Sequence, residues 1–209
     1  GVTQLHTEVP GQCHAVNLGV KTYIEDCFCQ LDDDMYVTPD WDYWLWRYFV
    51  QQKHSPVCAV RYEYGCIDPF VSCDPAVIGT TPETFNREAF ESFWEAQRDF
   101  KLEEGFNIPW LWKKSVWDDL GGYDEAYDPF ASNSDSDLLH RVKIAGLKPL
   151  LVRRAAVFHF VGTSGWAVGD QYWKNNYQHF IDKFGFARGE GASQWHGAIQ
   201  LEIPDTLIY

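Results

Sequence analysis

Strand-like and helix-like segments alternate along most of the chain, and that alternation restricts it to an α/β fold, a sheet flanked by helices. Residues 10–20 read as a short helix. Residues 23–31 (YIEDCFCQL) read as a strand, with Cys27, Cys29 and Leu31 on one face and Phe28 and Gln30 on the other. Thr38-Pro39 then signals a helix running to about residue 54. Thr is a good N-cap, Pro suits the first helical position, and Asp40 and Asp42 suit the positive end of the dipole. A strand is expected at 57–62, irregular chain at 65–79, and a second helix opened by Thr81-Pro82 and running to about 100. A short strand follows at 108–112, then a short helix at 114–120 stopped by Gly121-Gly122. The remainder reads as a helix over 134–145, a strand over 150–160, a glycine-containing loop over 162–169 and an amphipathic helix over 170–184. The pattern fades from residue 188. The expected organisation is one domain, 1–187, and a tail, 188–209.

Charge excludes several functions. Lys and Arg number 17 against 30 Asp and Glu, for a net charge of −13. Such a chain is not suited to sequence-independent binding of nucleic acid, nor to adhesion to anionic membranes. An anionic ligand would need something other than net charge to hold it, and a divalent cation is the obvious means. No apolar run reaches the ~18 residues of a membrane span. The first residues show no basic region followed by an apolar stretch, so no signal peptide is expected and a cytoplasmic location is. The 6 cysteines form no C-x-x-C pair and read as buried, reduced thiols. Trp41, Trp44 and Trp46 fall near helical spacing and are assigned to the core. Trp110 and Trp112 share a strand face, with core packing favoured over sugar stacking.

Three short segments carry candidate chemistry. Asp32-Asp33-Asp34 follows the first apolar strand directly. Adjacent carboxylates repel one another, and a cation is a reasonable explanation for placing them at a strand end. Continued alternation would point Asp32 and Asp34 the same way and Asp33 the other, so that two carboxylates grip one ion. The competing explanation is an exposed acidic turn. Ser134-Asp135-Ser136-Asp137 opens a helix, where capping alone accounts for acidic residues. His159 lies within an apolar strand, where a lone histidine is more often a satisfied core residue.

Taken together and in this order, the segments resemble the family 2 glycosyltransferases, which have the GT-A fold. Ala15-Val16-Asn17-Leu18-Gly19 resembles the A-x-N-x-G segment before the family's metal strand, and Asp32-Asp33-Asp34 its D-x-D motif. Trp117 to Tyr127 (WDDLGGYDEAY) resembles its "GGFDE" segment. Asp135 to Arg141 resembles its "ED-x-D-L-x-x-R" helix, and Val157-Phe158-His159 its final strand with a metal-binding His. There are three departures. Ser134-Asp135 stands for Glu-Asp, Val16 stands where an Arg is common, and the chain begins where the family's third strand would be. At ~30 residues per βαβ unit, roughly 60 to 90 residues are lacking before the metal strand.

The resemblance implies a GT-A-like mixed sheet, abbreviated at its N-terminus. It implies inverting transfer of a sugar from a nucleoside diphosphate donor, most simply a UDP-sugar, to a hydroxyl of a glycan or other acceptor. Asp32, Asp34 and His159 would bind Mn²⁺ or Mg²⁺, and Asp135 would be the general base. Asp33, Asn17 and Trp166 would contact the donor, with Trp166 on a loop able to close over it. Asp124 and Glu125 would shape the acceptor side. In the family the strand at 23–31 is interior. Here its open edge is expected to be covered by a second copy of the chain, by residues 199–209 or by a partner. With few side chains left to read the base, discrimination among nucleotides should be modest. Two other readings remain: a non-catalytic nucleotide-sugar- or carbohydrate-binding remnant of the same fold, and a metal-dependent hydrolase, for which the remaining histidines show no suitable spacing.

Overall fold

The computed structural model describes residues 4–52, 54–63, 75–98, 100, 102–160 and 170–186. It is an α/β structure with a mixed sheet flanked by helices. In chain order the elements are α1 (Gln12–Thr22), β1 (Cys27–Gln30), β2 (Met35–Val37), α2 (Trp41–Phe49), β3 (Val57–Glu63), α3 (Pro75–Ile78), α4 (Arg87–Gln97) and β4 (Leu102–Glu104). They continue with β5 (Trp110–Lys113), α5 (Lys114–Leu120), a 3₁₀ turn (Glu125–Tyr127), α6 (Ser134–Ile144), β6 (Leu150–His159) and α7 (Asp170–Phe184). Among the described residues the sheet order is β1-β5-β3-β6-β2, with β4 also paired to β6. The chain divides into two compact units. One holds the described residues of 1–28, 112–148 and 166–196, the other those of 29–111 and 149–165.

In the second unit β3 and β6 run parallel, from Val57 beside Leu150 to Glu63 beside His159. The register shifts once, between Ala59 and Val60. β2 joins the other side of β6 antiparallel, with Met35 opposite His159, and β4 pairs there with the first residues of β6. Val57, Ala59, Leu150, Val152 and Ala155 pack with Leu45 and Tyr48 of α2, together with Trp41 and Trp44. Val60, Tyr62, Ala156 and Phe158 pack with Phe90 and Trp94 of α4. Aromatic rings fill this second cluster, with Phe90 5.3 Å from Phe158 and 5.7 Å from Tyr62 between centroids. Arg61, Glu63 and His159 alternate with the residues facing α4, so they project from the opposite face.

In the first unit, Trp117 of α5 stands edge-on to Phe28, Trp112 and Tyr123. The start of α1 is capped from a distance. Asp128 accepts hydrogen bonds from the Cys13 and His14 N–H groups at 3.0 and 2.8 Å. Gly11, at φ 142°, admits that carboxylate, because a Cβ there would lie 2.1 Å from Asp128 Cγ.

Several boundaries differ from expectation, for identifiable reasons. The first strand is only Cys27–Gln30, since α1 runs on to Thr22 and Ile24 is left 93% exposed. This strand lies at the end of the sheet order rather than inside it. Thr38 does not cap a helix. Its hydroxyl donates to the Ala156 carbonyl at 2.9 Å and accepts the Ala156 N–H at 3.2 Å, and α2 starts after Asp40. Thr81 and Thr84 hold a local turn, and α4 begins later behind Asn86, whose side chain accepts from the Ala89 N–H at 3.1 Å. Trp110 and Trp112 are buried, whereas Trp46 is half exposed. Helices 114–120 and 170–184 have the expected bounds. The loop 162–169 with Trp166, and the tail from 188 with residues 199–209, lie outside the described residues.

Candidate functional site

The ends of β2, β3 and β6 bring a polar cluster together in the second unit. Asp33 and Asp34 form the turn that leads into β2, and the Asp34 carbonyl accepts the Phe160 N–H at 2.9 Å. This fixes the Asp34 side chain beside His159, with Oδ2 3.4 Å from Nε2. The other ring nitrogen, Nδ1, lies 2.8 Å from Glu63 Oε2. Arg61 Nε in turn lies 3.3 Å from that same Glu63 oxygen. His159, Asp34 and Glu63 are each mostly buried, at 20%, 14% and 17% side-chain exposure.

Asp32 belongs to the same neighbourhood. Its Oδ1 accepts from Gln30 Nε2 at 3.2 Å, and Gln30 Oε1 accepts from Trp110 Nε1 at 3.1 Å. Burial pushes the Asp32 carboxyl above its ordinary range, and the negative Asp34 adds to that. The Gln30 amide, His159 and Arg61 pull the other way without cancelling it. Asp33 is exposed.

Asp34 and His159 offer an oxygen and a nitrogen on neighbouring elements. Among the described residues no three His, Cys, Asp or Glu side chains are grouped to hold a metal ion. Glu63 cannot join Asp34 on one ion, because the two carboxylates face opposite nitrogens of the same ring. A pair of protein ligands completed by substrate oxygens is the usual arrangement for Mg²⁺ in nucleotide-handling sites.

The other expected residues lie in the first unit. Asp135 is exposed at the start of α6, and among the described residues its Oδ1 accepts from its neighbour Ser136, from N at 2.7 Å and from Oγ at 3.3 Å. The helix is entered through Asn133 in the left-handed region, without a side-chain cap. Asp137, two residues on, is fully buried and held by Arg141 Nε at 2.6 Å, Lys183 Nζ at 2.7 Å and the Tyr127 hydroxyl at 3.2 Å.

Asn17 clamps the Gly121–Glu125 segment. Its Nδ2 donates to the Tyr123 carbonyl at 2.9 Å and to Glu125 Oε1 at 3.0 Å, and its Oδ1 accepts the Tyr123 N–H at 2.9 Å. Gly122, at φ 65°, makes room for it, since a Cβ would sit 2.6 Å from Asn17 Oδ1. Glu125 Oε2 also meets His14 Nδ1 at 2.9 Å. Asp124 is bound by Lys183 Nζ at 2.7 Å and His179 Nε2 at 3.1 Å. Burial alone would raise the Asp124 carboxyl, but Lys183, His179 and the Ala126 N–H outweigh it and hold the group well below the usual range. An open cleft of about 430 Å³ is lined here by Asn17, Gly121, Tyr123, Glu125, Arg141 and Lys183 among others.

The structure therefore brings Asp34 and His159 together, with Asp32 nearby, and separately ties Asn17 to Glu125. Sequence reasoning missed Glu63 and Arg61. The signal was present in VCAVRYE, where two charged residues alternate with apolar ones at the end of a buried strand. No protein-family model matches the chain, and no curated protein matches it. Among the described residues no helix is long and apolar enough to cross a membrane.

Proposed function

We propose that the protein is a metal-dependent glycosyltransferase of the GT-A type, moving a sugar from a nucleoside diphosphate to an acceptor hydroxyl with inversion. The observation that carries this reading is the meeting of Asp34 and His159, 3.4 Å apart, at the carboxyl end of the parallel pair β3 and β6. Ligands of open α/β sheets gather at that end of the strands. The order of the motifs along the chain, and their resemblance to family 2, supplies the reaction.

In this reading Asp34 and His159 hold Mn²⁺ or Mg²⁺, with Asp32 as the further carboxylate. A divalent ion held there would supply positive charge to stabilise a diphosphate leaving group. Asp33, exposed on the turn, hydrogen-bonds the donor's ribose or sugar. The resemblance to family 2 assigns Asp135 the role of base, taking the proton of the acceptor hydroxyl as its oxygen bonds to the anomeric carbon and the bond to the diphosphate breaks. Its exposure, and the absence of a cationic partner among the described residues, suit that work. Asp137 is the wrong group for it, because its oxygens are occupied by Arg141, Lys183 and Tyr127. Asn17 serves by holding the 121–125 segment in place.

The test is a panel of nucleotide sugars with Mn²⁺ or Mg²⁺, read as release of free nucleoside diphosphate, alongside calorimetry with UDP. UDP binding should require the metal. Asp135→Asn should lower turnover by ~10²–10⁴-fold while leaving the fold and UDP binding intact. Equal UDP affinity in EDTA would sink the metal site. Metal-dependent binding without turnover on any donor would leave the non-catalytic binding module standing instead.

A further inference from the structure

We propose that Phe130, Tyr172, Trp173 and Tyr177, on the outer side of α7 and the turn beside it, form a stacking surface for a neutral glycan chain, which makes the acceptor an oligosaccharide. The inference rests on the reading of Asp135 as the base beside the acceptor hydroxyl. Trp173 is 50% exposed, Tyr172 48% and Phe130 40%. Exposed large rings that cluster mark a binding surface, where single ones do not. Trp173 and Tyr177, one helical turn apart, lie parallel, with ring centroids 5.0 Å apart and 10° between planes. Tyr172 meets Phe130 edge to face, with centroids 4.6 Å apart.

The packing of α7 places these rings. Asn176 and Phe180 point inward, at 7% and 3% exposure. Asn176 Nδ2 donates to the Tyr127 carbonyl at 2.8 Å and to Ser132 Oγ at 3.0 Å, which binds α7 to the segment leading into α6. That segment carries Phe130 and ends on Asp135. Phe130 precedes Asp135 by 5 positions, so their Cα atoms lie within ~18 Å of each other. The Ala131 N–H bond to the Tyr127 carbonyl and the Ser134 N–H bond to the Ala131 carbonyl fold the stretch more tightly than that limit. One hydrogen-bonded stretch of chain thus carries both the base and the edge of the aromatic surface.

Position and chemistry together name the occupant. A sugar ring has a C–H face that lies flat on an aromatic ring, and hydroxyls around its rim. Tyr172, Trp173 and Tyr177 each offer a flat apolar face with a polar group at its edge. The bases of a nucleic acid would stack too, but a chain of net charge −13 repels its phosphates. An uncharged glycan meets no such repulsion. With its terminal hydroxyl at Asp135, a glycan acceptor lays its following sugar units over the rings.

The experiment uses the full chain with cellohexaose, maltohexaose, chitohexaose and mannohexaose, without metal or nucleotide. Nuclear magnetic resonance titration gives the Kd, and saturation transfer shows which sugar protons touch the protein. At least one hexasaccharide should bind through its ring C–H protons and shift the Trp173 indole N–H resonance, a measurement that needs no variant to fold. Trp173→Ala should weaken binding ~10-fold, and Trp173→Phe, which keeps a ring, by less. Both variants should keep the wild-type circular dichroism and urea midpoint, since the side chain is half exposed. The same hexasaccharides and a simple alkyl glycoside then serve as acceptors in the nucleotide-sugar assay.

No binding of any hexasaccharide overturns the proposal, and so does binding that leaves the Trp173 resonance unmoved or that Trp173→Ala leaves unchanged. A dimer in sedimentation that Trp173→Ala dissociates also overturns it, and assigns the face to a second copy of the chain. Binding that depends on Trp173 in a chain that transfers no sugar supports the stacking surface and defeats the transferase reading. Transfer to the alkyl glycoside without binding of any hexasaccharide does the reverse.

Discussion

Replacing Asp137 by Asn is a sharp test of how the acidic start of α6 is used. Its side chain is fully buried and lies within 2.7 Å of both Arg141 Nε and Lys183 Nζ. Asn preserves the volume but turns an acceptor-only group into one that is half donor. One of the two cations then faces an N–H, and the charge that compensated both is gone. Removing one member of a buried ion network typically costs ~3–5 kcal/mol. The lower end applies here, because Arg141 keeps its hydrogen bond to the Leu120 carbonyl and Lys183 keeps Asp124. A loss of about 3 kcal/mol in a chain of this size lowers the Tm by about 6–12 °C. Urea unfolding followed by tryptophan fluorescence, with calorimetry for the Tm, measures it directly. The double variant with Lys183→Met should lose less than the sum of the singles, by ~1 kcal/mol or more, since one cation no longer needs the lost charge. A change below ~0.5 kcal/mol, as expected of an ordinary surface substitution, would refute the network argument and return Asp137 to consideration as a base.

Two further outcomes follow from the packing and the charges. Phe90 is fully buried among Tyr36, Tyr62, Phe85 and Phe158, so Phe90→Ala should cost ~3–5 kcal/mol in urea unfolding. Asp124 has a native carboxyl held below its ordinary value of 3.8, so its contribution to stability is complete above that value and fades as pH falls below it. The difference in urea midpoint between wild type and Asp124→Asn should therefore shrink from about pH 4 downward; a difference that persists unchanged down to about pH 2 would contradict the pairing that holds the Asp124 carboxyl low.

The α/β class was legible because apolar periodicity changes between two and three to four along the chain, and helices 114–120 and 170–184 kept their predicted bounds because glycines end them locally. What misled was cap chemistry read without its tertiary partner. Thr38-Pro39 has the residues of a helix start, yet β6 lies close enough for Ala156 to take the hydroxyl in both directions. A threonine cannot cap a helix with an oxygen already committed to a sheet. Asp128 shows the converse: it caps α1 from more than a hundred residues away, and no local window contains both partners. Glu63 went unnoticed for the same reason. Its meaning depends on the parallel register with β6, which is a long-range fact.

The acidic triplet carries the same lesson further. Read as extended chain, Asp32 and Asp34 share a face because alternate residues do. In the structure the strand stops at Gln30, and Asp33-Asp34 form the turn. Side-chain alternation therefore does not place Asp34. It stands beside His159 because β2 starts at the next residue and Met35 is registered opposite His159. The Phe160 N–H bond to the Asp34 carbonyl closes that pairing. Two strands that leave the turn and the histidine at one end of the sheet thus do what sequence spacing was invoked to do. The proximity of Asp34 to His159 is a property of the β2–β6 ladder, so it is as rigid as that ladder, whereas Asp32 lies outside the ladder and accepts a hydrogen bond from Gln30. Of the two carboxylates, Asp34 is the one that the fold holds in place without help from its neighbours in sequence.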